Sequence, residues 1–177
     1  MTIETVSIRP FTGEEAGQHC EALSEILIDC VEGGASVGFM VPLSRDKARA
    51  FWLAIAEGVA SGQRALLVAQ DCSSGTVIGT VQIVLAQHEN QPHRADVSKM
   101  LVHRGSRRHG VGARLMLAAE EVAKSAGKTL LVLDTASSDA ERLYERLGWI
   151  KVGVIPEYAL WPEGGLCATT YYYKKLA

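Results

Sequence analysis

The sequence predicts an α/β (α+β) fold, with a mixed, mostly antiparallel central sheet flanked by helices on both faces. Three observations predict it. Apolar residues recur at helical spacing in two early segments. Apolar and β-branched runs then follow one another across connections too short to hold a crossover helix. Finally, a helical stretch separates one of these strands from a continuous apolar run, the pattern of a parallel βαβ unit. At 177 residues the chain reads as a single domain, 1–177, able to bury a core without disulfides.

Residues 6–9 read as a short extended segment that Pro10 ends. Thr12 and Glu15 form a capping-box pattern, and Ala16, Cys20, Leu23, Ile26, Leu27 and Cys30 continue one helical stripe up to Gly33 and Gly34. Residues 33–40 are glycine-rich yet carry apolar side chains, unusual for a mere connector. A second helix runs from Ser44 to about Ala60, with Ala48, Phe51, Trp52, Ile55 and Val59 on one side. Residues 65–70 and 77–86 form a hairpin across 71–75, and a third strand, 95–103, returns after a polar loop. A helix over 108–124 buries Val111, Leu115, Met116, Ala119, Val122 and Ala123, with Gly127 beyond its end. Residues 129–133 are the buried strand reached by that crossover. Ser138 and Glu141 mark a further capping box for a short helix that Gly148 stops, and strands 149–155 and 168–174 close around Pro162-Glu163-Gly164-Gly165.

Composition excludes several classes. The chain is 47% hydrophobic and 21% charged with a formal net charge of -2, so no global field draws nucleic acid or an acidic membrane surface, and neither is an expected partner. No apolar run has bilayer-crossing length. The start, Met1-Thr2-Ile3-Glu4-Thr5, lacks a basic region followed by an apolar one, so no secretory signal and a cytoplasmic location are expected. Cys20, Cys30, Cys72 and Cys167 are scattered without a C-x-x-C pair and read as reduced thiols. His88 and His93 lack a third ligand at metal spacing, and no metal is expected. Trp149, Trp161 and Tyr171-Tyr172-Tyr173 read as core and sheet-face residues.

The turn Arg107-Arg108-His109-Gly110-Val111-Gly112 carries the functional signal. A helix N-terminus exposes unpaired N–H groups and partial positive charge, and so disfavours cations. Here Arg104, Arg107 and Arg108 crowd it, with His109 and Arg114 nearby, an arrangement that makes sense with a polyanion present. Gly110 and Gly112 let phosphate oxygens approach the backbone donors. A P-loop is excluded because Ala113-Arg114 follows Gly112 where Lys-Ser/Thr is required. A Rossmann dinucleotide site is the stronger rival, with Asp134 at about the expected distance. Against it, Leu115 holds the third glycine position, and too little chain remains to finish a doubly wound sheet.

These residues resemble the GNAT superfamily of N-acetyltransferases. Met100-Leu101-Val102-His103 followed by Arg107-x-x-Gly110-x-Gly112 is similar to the family's cofactor motif, and Ala140 to Trp149 resembles its Ala-x-x-x-Tyr-x-x-x-Gly-aromatic segment. Within the superfamily, residues 33–40, Arg94-Ala95-Asp96-Val97 and Lys99-Met100 look like the tabtoxin-resistance branch. Two positions depart from the pattern: Ser137 stands where many members have a cofactor-touching Asn, and Arg108 replaces a frequent Gly.

The resemblance implies acetyl transfer from acetyl-CoA, as co-substrate, to the amine of a small molecule such as an amino-acid-like compound or an antibiotic. A protein N-terminus or lysine is the other acceptor class, and a homodimer is compatible with the family. Backbone groups of Met100, Leu101 and Val102 would hold the pantetheine arm, and Arg107, Arg108, His109, Gly110, Val111, Gly112, Ala113 and Ser137 the phosphates and their surroundings. Tyr144, also beside the cofactor, is the candidate acid for the leaving thiolate, and Asp96 and Asp134 are candidate bases acting through water. Gly34, Ser36, Val37 and Phe39 would help to wall the acceptor site. A non-catalytic acyl-CoA-binding or sensor module is the alternative from another class.

Overall fold

The computed structural model describes residues 6–176; residues 1–5, where the absence of a signal pattern was inferred, and Ala177 lie outside the described residues. Seven strands form one sheet in the order β1-β2-β3-β4-β5-β7-β6. They are β1 (Val6–Phe11), β2 (Arg64–Asp71), β3 (Val77–Val84), β4 (Arg94–Val102), β5 (Leu130–Thr135), β6 (Ile150–Leu160) and β7 (Leu166–Lys175). The helices are α1 (Gly13–Gln18), α2 (Cys20–Glu32), α3 (Arg45–Ala60), α4 (Val111–Ser125) and α5 (Ser138–Arg146). Among the described residues only β4 and β5 pair in parallel, across α4, and the other pairings are antiparallel. A doubly wound dinucleotide sheet is thereby ruled out.

Strand alternation divides the core in two. Leu67, Ala69, Val81, Ile83, Ala95, Val97, Leu131 and Leu133 pack under α4 and α5, whereas Leu66, Val68, Val77 and Leu101 pack under α1 to α3. Helices thus cover both faces, as the sequence predicts.

Several boundaries differ from the sequence reading. Pro10 does not end β1: it sits opposite Leu67 in an edge strand, where a missing N–H is tolerated. The helix expected from Thr12 to Cys30 is divided at His19, whose Nδ1 lies 2.9 Å from the Glu15 carbonyl oxygen, and Gly17 weakens the same turn. Helix α4 starts at Val111 rather than Arg108, because Arg108 (φ 63°) and Gly110 (φ 75°) are left-handed. The cap of α5 is Ser137, accepting from the Ala140 N–H, and Glu141 turns to Lys151, Thr170 and Tyr172 instead of closing a capping box. Strand β6 runs past Pro156 by absorbing it in an irregularity between Ile155 and Ala159.

Candidate active site

Strands β4 and β5 pair only where Arg94–Asp96 meets Leu130–Val132. Beyond that point no ladder joins them, and residues of both line a cleft of about 1520 Å³. The β5-facing edge of β4 therefore lacks a strand partner from Val97 onward, and its backbone groups need water or a ligand. A bulge falls in the same stretch. Thr80 pairs with Leu101 and Gln82 with Ser98, so Lys99 and Met100 together oppose Val81. Lys99 takes φ 48°, and its carbonyl accepts from the Thr80 hydroxyl at 3.0 Å.

The cleft ends at the turn before α4. Arg104 is not free for a ligand's charge: its backbone N–H and Nε donate to Asp29 at 2.7 and 2.8 Å, tying the short 3-10 turn Arg104–Ser106 to α2. Burial opposes the Asp29 carboxylate, but the Arg104 backbone N–H and guanidinium outweigh it and hold its pKa below the ordinary value. Arg107 donates from Nε to the Val102 carbonyl at 3.0 Å and from Nη2 to the Cys30 sulfur at 3.6 Å. Burial pushes the Cys30 thiol up, with Arg107 opposing it. Gly110, Val111, Gly112 and Ala113 line the cleft, and Gly110 supplies no side-chain cap to the first N–H groups of α4. These groups and the guanidinium of exposed Arg108 face the same end of the cleft, an arrangement that could hold an anion. A Cβ on Gly112 would come within 3.2 Å of Leu143, so the absent side chain also lets α5 approach. His109 does not line the cleft; its Nδ1 is buried without a partner among the described residues.

Tyr144 on α5 is 5% exposed, with its ring between Trp149 and Tyr172 at centroid distances of 6.0 and 5.9 Å. It lines the cleft, and its hydroxyl makes no hydrogen bond among the described residues. Burial, and after it the charge of Asp134, raises its pKa, so the phenol stays protonated at neutral pH. Asp134, next to last in β5, lines the cleft, and its Oδ2 accepts from Thr169 Oγ1 at 2.7 Å. Asp96 is placed differently. It lies in the closed part of β4, outside the cleft lining, and its Oδ2 accepts from Gln87 at 3.0 Å and Arg94 at 3.2 Å. Ser137 lines the cleft but spends its oxygen on the α5 cap.

On the other side, Gly34, Ser36 and Val37 line the cleft, whereas Phe39 turns away and packs edge-on against Phe51 at 5.2 Å. Ser36 donates to the Leu160 carbonyl at 3.0 Å, and Cys167 donates to Ser36 at 3.5 Å, so the loop is fastened to the β6–β7 hairpin. Tyr158, Trp161, Cys167 and Thr169 of that hairpin also line the cleft, and sequence reasoning missed them as site residues. Only their position on either side of the closing turn could have flagged them. Trp161, read as core or sheet face, is 39% exposed at the cleft, while Trp149 and Tyr172 are core as expected.

Among the described residues no group of three or more His, Cys, Asp or Glu side chains gathers at metal-binding distance, and no helix is long and apolar enough to cross a membrane. The model of the acetyltransferase (GNAT) family matches residues 21–149, spanning α2 through Trp149. The chain belongs to the acetyltransferase (GNAT) family. An uncharacterized N-acetyltransferase from the hisH-hisA intergenic region of Azospirillum brasilense is 30% identical over 108 residues, which cover 60% of this chain and 61% of that protein's own length. The GNAT fold is equally plain in solved structures. An N-acetyltransferase from Staphylococcus aureus Mu50 superposes with a TM-score of 0.79 at 16% identity, covering 97% of this chain and 99% of that one. The Salmonella typhimurium protein yncA, solved with its cofactor acetyl-CoA, gives 0.78 at 20% identity over 98% and 95%. A ribosomal-protein-alanine N-acetyltransferase from Brucella melitensis gives 0.78 at 21% over 96% and 99%.

Proposed function

We propose that this chain is an acetyl-CoA-dependent N-acetyltransferase, working as one domain in the cytoplasm on the amine of a small molecule. The observation that carries this reading is the β4–β5 wedge, which runs from the cradle at Gly110 to Gly112 up to Tyr144 and Asp134. Acetyl-CoA supplies an activated acyl group. The residues fit it: the unpaired edge from Val97 to Val102 suits an extended amide-bearing arm added as a strand, and the cradle suits a pyrophosphate. The chain's resemblance to the tabtoxin-resistance branch favours an amino-acid-like or antibiotic acceptor over a protein amine.

Each side chain then has a task. Asp134, with one oxygen held by Thr169, keeps the other free to draw a proton through water from the acceptor's ammonium. Asp96 is occupied by Arg94 and Gln87, so we assign the base to Asp134 alone. The freed amine nitrogen forms its bond to the thioester carbonyl carbon as the C–S bond breaks; Tyr144, which holds its proton, donates it to the departing thiolate and regains one from the nitrogen's surplus proton through solvent. Exposed apolar residues on the edge strand β6, among them Val152, Val154 and Leu160, offer a surface for a homodimer, which light scattering would detect.

The test is free-thiol release from acetyl-CoA over a panel of amines, with Asp134→Asn and Asp96→Asn compared across pH. Amine-dependent release that Asp134→Asn abolishes and Asp96→Asn spares is expected. Acetyl-CoA binding without release on any amine would favour the sensor reading, and stabilisation by NAD(H) alone would overturn acetyl transfer.

A further inference from the structure

The Lys99 side chain lines the cleft and has no task in this mechanism. Strict alternation along β4 would place it beside Val97, on the α4 face. The bulge gives that place to Met100, whose sulfur lies 3.6 Å from where a Cβ on Gly112 would stand. Lys99, held at φ 48°, is turned to the opposite face, with Nζ 5.8 Å from the Phe51 ring centroid and 3.9 Å from where a Cβ on Gly38 would stand. A positive φ at a residue with a long side chain is strained, and such strain persists where surrounding structure imposes it.

The ammonium is half-buried at the wall of the cleft, yet among the described residues it forms no ion pair and no hydrogen bond. Burial pushes its pKa below the ordinary lysine value; Asp134 opposes the shift and Arg64 adds to it. Asp134 is the opposite charge on the same sheet face, but it turns an oxygen to Thr169 and does not pair with Lys99. A cation and an anion that face one chamber and stay apart match a molecule carrying both charges.

We infer that Lys99 is a specificity residue that binds a carboxylate on the acceptor, so that the substrate class is amines bearing an acid group, read at one end by Asp134 and at the other by Lys99. This rests on the acetyl-transfer reading for the amine end, while the carboxylate end stands on Lys99 alone. Its side chain would supply the charge-assisted hydrogen bond that an acid forms and an amide cannot.

The probes are N-acetylglycine, N-acetyl-L-alanine and N-acetyl-L-leucine and their primary amides, titrated calorimetrically with and without CoA. Acids should bind at least about tenfold more tightly than amides. Lys99→Met should close that gap with an unchanged melting temperature, and Lys99→Arg should keep most of it. Equal binding of acids and amides, no measurable binding of either, or a preference that survives in Lys99→Met overturns the inference. Failure to bind CoA overturns acetyl transfer instead, and the titration without CoA still reads the acid preference.

Discussion

Lys174 secures the helix that carries Tyr144. Its Nζ donates to both Glu120 oxygens at 2.8 Å and to the Leu147 carbonyl, at the end of α5, at 2.6 Å. Glu120 is 6% exposed and also accepts from Trp149 Nε1 at 3.2 Å. Lys174→Met would leave a buried carboxylate with only the indole donor. Removing one partner of such a pair costs about 3–5 kcal/mol. At roughly 2–4 °C per kcal/mol for a chain of this size, Tm should fall by about 6–20 °C. Adding Glu120→Gln, which removes the orphaned charge and keeps an acceptor for Trp149, should restore much of the loss. Thermal unfolding at pH 7, followed by circular dichroism, measures both. A single variant that melts within about 2 °C of wild type, or a double variant no better than the single, would show that Lys174 does not offset a buried Glu120 charge.

Three further outcomes are expected. Tyr144→Phe should slow thiol release at saturating substrates by about 10²-fold or more while acetyl-CoA affinity holds, and an unchanged rate would remove the phenol from the scheme. Arg108→Gly should raise Tm by relieving a left-handed backbone worth about 1 kcal/mol, and should weaken acetyl-CoA binding in the same protein; a lower Tm would contradict the strain. Tyr144 and Tyr172 both have raised pKa values: burial leads in each case, with the Asp134 charge adding at Tyr144 and the carboxylates of Glu145 and Glu141 at Tyr172. Their stabilisation is complete below about pH 10, where unfolded tyrosine ionises, and is lost as pH rises through the higher folded values. Urea unfolding at pH 8, 10 and 11 should show that decline, and a Tyr144→Phe/Tyr172→Phe variant should show a shallower one.

Much of the scaffold was legible because local chemistry and global packing agree. The Thr12–Glu15 capping box forms as its spacing predicts, and Val111, Leu115, Met116, Ala119 and Ala123 are the buried stripe of α4. The site was legible where it depends on backbone: glycines at the turn, and an apolar strand after a crossover helix. It was illegible where a long-range event redirects a side chain. Nothing around Lys99 announces a bulge, since the residue with positive φ is not a glycine, and alternation assigns it to the wrong face. Asp96 and Asp134 look equivalent in sequence, and only the parallel register places one in the closed part of the wedge and the other where the strands begin to part. Phe39 reads as a wall of the acceptor site because its partner, Phe51, lies twelve positions on, in helix α3.

Acetyl transfer by this chain requires that the wedge between β4 and β5 bind acetyl-CoA and deliver its acetyl group to an amine. The most direct measurement is continuous detection of free thiol with acetyl-CoA and a panel of amino acids and simple amines, with mass spectrometry of the products. Amine-dependent thiol release, with product heavier by one acetyl group, is the predicted result. No acetylated product from any amine, in a protein that also fails to bind acetyl-CoA, would contradict it.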